Sequence, residues 1–208
     1  TASCGDDSSP SAPAPSTTPP PRVRPNLVVV LTDDLDVPTY EQMPRLRDTL
    51  ARQGLSFTRA YVSQPLCAPS RVSLFTGQYS HSHGLVTNHP PNGGWPAFRR
   101  YEPSTLAVWL KAAGYRTSLV GKYLNDYPKN ASATYVPPGW DDWYGHLSAI
   151  QEGRYYNFWV NDNGNVLHLG AKVEDYSVDR DTARAVHFVR DLAGRREPLF
   201  LYVAPEAP

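Results

Sequence analysis

The stretch Asn26-Leu27-Val28-Val29-Val30-Leu31-Thr32-Asp33-Asp34 runs five consecutive apolar residues into two carboxylates. A short run rich in β-branched side chains, without polar alternation, reads as a strand buried on both faces. The two aspartates then stand at its carboxyl end. Working outward, Met43, Leu46 and Leu50 recur at helical spacing and predict a helix over 41–53, with Gly54 behind its end. Residues 55–62 read as extended, and 70–76 as a helix closing at Gly77. Ser104 is placed to cap a helix carrying Leu106, Trp109, Leu110 and Ala113, stopped by Gly114. Residues 115–120 form another strand pattern, and 155–160 and 166–169 flank Asn161-Asp162-Asn163-Gly164 as a hairpin. Asp179 or Asp181 opens a helix with Val186, Val189 and Leu192, and 198–204 reads as a last buried strand. Strands alternating with helices predict an α/β fold, a mostly parallel sheet with flanking helices. In such sheets chemistry gathers beyond the carboxyl ends of the strands.

The composition narrows the field. Twenty Lys and Arg balance twenty Asp and Glu over 208 residues. Neutralising a phosphate backbone needs a basic excess, so nucleic acid is not expected as a partner. A mean hydropathy of −0.47, with no long uncharged apolar run, excludes a membrane-spanning helix from the sequence. Two cysteines cannot make a disulfide scaffold. Proline, at 21 residues, is roughly twice its ~5% average. Part of that excess lies in residues 1–25, a Ser/Thr/Ala/Pro tract with no periodic apolar face, expected to be an extended linker. Residues 26–208 are the expected folded part, and they contain no internal repeats.

Three strand ends carry candidate chemistry. Adjacent side chains of a strand point to opposite faces, so Asp33 and Asp34 reach one ion only if the strand ends there and the chain turns. Paired carboxylates supply hard oxygens and favour Ca²⁺ or Mg²⁺ over zinc; a solvated turn is the alternative. Cys67 precedes a helix start and has Arg71 nearby. A positive helix end and an arginine suit a reactive thiol or an anion site, against a buried structural cysteine. Gly121-Lys122 ends the strand over 115–120.

The spacing Cys67-Ala68-Pro69-Ser70-Arg71, continued by Leu74 and Thr76-Gly77, resembles the signature of type I sulfatases, in which the cysteine is oxidised by a maturation enzyme to Cα-formylglycine. The resemblance then implies roles residue by residue. Asp33 and Asp34 match the paired metal ligands after the first strand, with position 67 as a further ligand. Lys122 matches the lysine that touches the sulfate, and Arg71 pairs with the aldehyde hydrate. The usual histidine two places after that lysine is Leu124 here. Gly121-Lys122-Tyr123-Leu124-Asn125-Asp126-Tyr127 is similar to the N-acetylglucosamine-6-sulfatase branch instead, as are Tyr135-Val136-Pro137-Pro138-Gly139-Trp140, Tyr155-Tyr156-Asn157 and Asp175-Tyr176-Ser177-Val178-Asp179. The His pair of Tyr79-Ser80-His81-Ser82-His83 follows that branch too, making His83 a candidate substrate contact.

The implied protein is a sulfuric ester hydrolase of alkaline-phosphatase/sulfatase-like fold, acting on a sulfated saccharide such as N-acetylglucosamine 6-sulfate with Ca²⁺ or Mg²⁺. A phosphonate or phosphate monoester hydrolase of the same superfamily, and a non-catalytic lipoprotein binding module, are the competing readings. The family's later His, Asp-Asn and second Lys positions are not reached by Pro208, so 26–208 is expected to be the amino-terminal part of the catalytic domain, inactive alone. Thr1-Ala2-Ser3-Cys4-Gly5-Asp6-Asp7 resembles a bacterial lipoprotein cleavage and lipidation site, with a stray linker cysteine as the alternative. An acylated Cys4 would be the chain's membrane contact, and the expected location is extracytoplasmic. Asp36 is either a support of the metal loop or a helix cap. His168 and the tryptophans read as structural, Trp140 or Trp143 being the better sugar contact, and Arg99-Arg100 as a solvated pair.

Overall fold

The structure is a computed structural model that describes residues 24–207, so Cys4 and most of the expected linker lie outside the described residues. In chain order the strands are β1 (Leu27–Val30), β2 (Arg116–Gly121), β3 (Asp142–His146), β4 (Phe158–Asp162), β5 (Asn165–Leu169) and β6 (Leu199–Ala204). The α-helices are α1 (Val37–Glu41), α2 (Pro44–Leu46), α3 (Cys67–Thr76), α4 (Ser80–His83), α5 (Gly94–Phe98), α6 (Leu106–Ala112) and α7 (Ser177–Leu192). The six strands form one sheet in the order β1-β6-β2-β3-β4-β5. The first four of that order run parallel, β4 runs antiparallel to β3, and β5 runs antiparallel to β4. The parallel strands therefore end on one edge, which collects the residues after β1, β2, β3 and β6.

Strand alternation sorts the core into two layers. Leu119, Phe200 and Tyr202 pack with Phe75, Trp95, Phe98, Tyr123 and Trp143 on one face. Val120, Leu199 and Leu201 pack with Ala185, Phe188 and Leu192 of α7 on the other. Both tryptophans singled out for sugar contact are core: Trp143 is fully buried and Trp140 stacks on Phe200 with centroids 5.8 Å apart. Arg99 is not merely solvated, since its guanidinium lies over the rings of Trp95 and Tyr135 at 5.2 and 5.4 Å.

Several local readings change. β1 is the outer strand of the sheet among the described residues, not a strand covered on both faces. Leu27 and Val29 pack on the core, but Val28 and Val30 are 56% and 59% exposed. They face an apolar groove shared with Val186, Val189, Leu201 and Val203. A β-branched run reports strand propensity; it does not report how many layers cover the strand. Residues 55–62 form no strand, and Leu55, Phe57, Tyr61 and Val62 are exposed. The helix expected over 41–53 is broken into α1, the three-residue α2 and a π turn at Arg47–Ala51. Asp36 caps α1, accepting from Thr39 N at 2.8 Å, which settles its role locally. Pro44 then forces a new start because it cannot donate within a continuing helix. The hairpin forms as expected, with Asn163 and Gly164 at φ 51° and 90°, the left-handed pair that matches the strand twist. β3 was not anticipated; its sequence, Asp-Trp-Tyr-Gly-His, lacks an aliphatic run.

Candidate active site

The carboxyl end of β1 is extended by a ladder bond from Leu31 N to Val203 O at 2.9 Å, so the chain reaches Asp33 still held against β6. Asp34 takes φ 54°, a left-handed turn that brings the next carboxylate round instead of sending it to the opposite face. The condition for two adjacent aspartates to share a site is thereby met. Asp33 is buried and Asp34 is exposed.

β2 ends at Gly121, with φ 99°. A Cβ there would stand 2.3 Å from Ala204 O, so glycine is required both by conformation and by the approach of β6. Lys122 N then donates to Ala204 O at 2.8 Å, and its buried side chain reaches Asp33, where Nζ donates to Oδ2. Arg71, on α3, is also buried. Its Nη1 donates to Lys122 O at 2.7 Å and to the Tyr202 hydroxyl at 3.2 Å. Its Nη2 lies 3.5 Å from Asp33 Oδ1 and has no hydrogen-bond partner. Burial works to raise the Asp33 pKa, but the hydrogen bond and charge of Lys122, aided by Arg71, hold it below the usual carboxylate value. Asp33 is thus an ionised carboxylate between two cations.

Cys67 opens α3, whose N-cap residue Leu66 offers no side-chain bond. Asn88 supplies it from another loop, its Oδ1 accepting from Ala68 N at 2.9 Å. The helix closes at Gly77 in the left-handed conformation, φ 67°. Donor atoms of Asp33, Asp34 and Cys67 all lie within 4.8 Å of one another. Burial pushes the Cys67 thiol above its usual pKa; Lys122 opposes the shift while Asp33 and Asp34 reinforce it. Burial thus favours the neutral thiol of the unmodified side chain over the thiolate.

His83 does not join this group. It is fully buried, with Ser73 Oγ 3.1 Å from Nε2 and Leu85 N donating to Nδ1 at 3.1 Å. Burial lowers its pKa, and both ring nitrogens are spent inside the protein. His83 therefore ties α3 to α4 and does not contact substrate in this geometry. The structure adds residues not singled out from the sequence. Asn88, His89, Gln151, Arg154 and Glu206 line a polar cleft of 490 Å³ together with Asp34, Cys67, Lys122 and Asp126. Asn88 has no local signature, because it caps a helix twenty residues earlier in the chain.

This sheet and its strand-end cluster define an α/β protein of the alkaline-phosphatase-like class. The sulfatase family model matches residues 25–208, and the chain belongs to the sulfatase family. A putative extracellular sulfatase Sulf-1 homolog of Caenorhabditis elegans is 35% identical over 188 residues, 88% of this chain and 26% of that protein. The N-acetylglucosamine-6-sulfatase of Homo sapiens is 34% identical over 197 residues, 89% of this chain and 34% of that protein. The chain thus spans about a third or less of these curated relatives. Among solved structures, a protein in complex with its substrate D-glucosamine-2-N,6-O-disulfate has a TM-score of 0.64 at 22% identity, covering 89% of this chain and 35% of that one. That last likeness is one of fold.

Proposed function

We propose that residues 26–208 are the amino-terminal part of a sulfatase catalytic domain and carry the nucleophile side of its site. The reaction is hydrolysis of a sulfate ester, with a sulfated saccharide of the N-acetylglucosamine 6-sulfate kind as substrate. The observation that carries this reading is the convergence of Asp33, Asp34, Cys67, Arg71 and Lys122 at one sheet edge, from three separate segments. Cys67, converted by a formylglycine-generating maturation enzyme and hydrated, supplies one hydroxyl to attack sulfur and a second to release sulfate from the protein. Lys122 neutralises sulfate charge, and Arg71, whose Nη2 makes no hydrogen bond among the described residues, donates to the position-67 oxygen. Asn88 keeps α3 and its first residue in register with the two aspartates. The extracellular sulfatases among the relatives support extracytoplasmic placement, and a lipid anchor at Cys4 is part of the same proposal.

The residues fit a divalent cation. With sulfur at position 67 the donor set is mixed; with oxygen it becomes all-oxygen and suits Ca²⁺ or Mg²⁺. A cation held by Asp33, Asp34 and position 67 would supply charge neutralisation for the sulfate and would favour ionisation of the position-67 hydroxyl. Three donors are few against the six to eight oxygens Ca²⁺ takes, and Lys122 already occupies Asp33. Calorimetry on this chain should give a Ca²⁺ dissociation constant on the order of 10⁻³ M or weaker. Lys122→Met should tighten Ca²⁺ by removing the competing charge while weakening inorganic sulfate. Sub-micromolar Ca²⁺ binding by the wild-type chain, or parallel loss of both ligands, would contradict this arrangement.

The direct test is mass spectrometry of the tryptic peptide ending at Arg71, from a host that contains the maturation enzyme. An aldehyde at position 67 is expected. A peptide carrying only thiol would leave the hydrolase reading without its nucleophile and favour a binding module.

A further inference from the structure

The polar cleft extends past Cys67 and Lys122 to a pair of side chains that the sulfate chemistry does not use. His89 Nδ1 stands 2.8 Å from Asp126 Oδ2. Asp126 is four residues beyond Lys122, and His89 directly follows the Asn88 that caps α3 beside Cys67. Among the described residues, neither Asp126 Oδ1 nor His89 Nε2 makes a hydrogen bond within the protein.

The pair is built by its surroundings. Asp126 adopts the left-handed conformation, φ 63°. Gly94 leaves room for it: a Cβ there would stand 2.9 Å from Asp126 Oδ2 and 3.2 Å from Asn125 O. Trp95, which is fully buried, donates its backbone N–H to Asn125 O at 2.8 Å and anchors the turn. On the other side Thr87 Oγ1 donates to His89 O at 2.7 Å. Two loops are thus fixed so that a carboxylate and an imidazole meet at the cleft wall, with the Asp126 side chain 16% exposed and that of His89 68% exposed.

We propose that Asp126 and His89 form the recognition pair for a free ring hydroxyl of the sugar that bears the sulfate. An anionic carboxylate repels the sulfate group, so the pair belongs with the uncharged alcohol part of the ester. With the imidazole Nδ1–H directed at Asp126 Oδ2, the carboxylate Oδ1 and the ring Nε2 both remain as acceptors, so together they take the O–H of one hydroxyl each and grip two adjacent ones. The preferred ligand is a pyranose 6-sulfate with a free hydroxyl at C4, the ring carbon next to the one that bears the sulfated arm. The inference rests on Lys122 taking the sulfate, as in the proposed function, and specifies what lies beyond it.

The test is calorimetry on this chain with three probes: inorganic sulfate, glucose 6-sulfate and 4-deoxyglucose 6-sulfate. Wild type should bind glucose 6-sulfate more tightly than the deoxy ester. Asp126→Asn keeps a residue that tolerates the left-handed turn, so the fold should persist. It should weaken glucose 6-sulfate about 10- to 100-fold, leaving sulfate and the deoxy ester unchanged. His89→Gln should act in the same direction. Unchanged affinity for glucose 6-sulfate in Asp126→Asn, or an equal loss of sulfate, would overturn the pair. Failure of wild type to bind sulfate, or sulfate binding that survives Lys122→Met intact, would instead overturn the sulfatase reading beneath it.

Discussion

Alanine at position 67 is expected to reduce sulfate-ester hydrolysis to the uncatalysed background, a loss on the order of 10⁶-fold, as when a hydrolase loses its nucleophile. The assay uses a chromogenic sulfate ester and a polypeptide extended to the length of the relatives. The fold should survive. Cys67 is partly exposed at the first turn of α3, and Asn88 caps the helix through the backbone N–H of Ala68, which the substitution leaves in place. Alanine is also the residue best suited to a helix. Cys67→Ser should fail as well in a host whose maturation enzyme accepts only cysteine, because a single hydroxyl can attack but offers no second group to expel the sulfate. The Lys122→Met variant should lose less, since it removes charge stabilisation and keeps the nucleophile. Wild-type turnover in Cys67→Ala would remove position 67 from the mechanism.

The parts of this site that could be read from the sequence are those encoded by short spacing. The Cys-x-Pro-Ser-Arg run, the aspartate pair after an apolar strand and the lysine after Gly121 each lie within a few residues of the element that positions them. The parallel α/β arrangement was legible for the same reason, through the periods of α3, α7, β2 and β6. What escaped depends on contacts between distant segments. β3 has no aliphatic run, because Trp143 faces one core layer, Tyr144 the other, and Gly145 lies against the Trp143 ring. β1 was misjudged because Val28 and Val30 have the same chemistry whether or not a layer covers them. His83 looked like a substrate contact from its local pattern, yet its partners Ser73 and Leu85 show it spent on packing. Asn88 and Glu206 act on groups twenty or more residues away, and nothing in their immediate neighbours marks them.

The second large effect lies at the end of β3, in a histidine that sequence reasoning passed over. His146 is fully buried between two carboxylates, with Asp181 Oδ1 3.0 Å from Nε2 and Glu206 Oε1 3.9 Å from Nδ1. Burial disfavours its charged form, but the charge and hydrogen bond of Asp181, with the charge of Glu206 beside it, prevail, and the pKa is pushed up to about 10. The sign follows from linkage. The imidazolium contributes its full stability below about pH 6.5, and the contribution is lost as pH rises toward 10. His146→Gln removes the cation and leaves Asp181 and Glu206 buried without it, a change that costs about 3–5 kcal/mol. Urea unfolding of both proteins at pH 6, 8 and 10 checks this. The gap in stability should be widest at pH 6 and should close by pH 10, and taking the difference cancels the titration of other lysines and tyrosines. A gap of constant size would mean that His146 is neutral in the folded protein and that its worth is packing against Phe158, 5.0 Å away. Glu206 also holds Gln151 at 2.9 Å on the wall of the cleft. Loss of the imidazolium should therefore loosen that wall before the sheet itself yields, because β2 and β6 remain locked through Gly121 and Ala204.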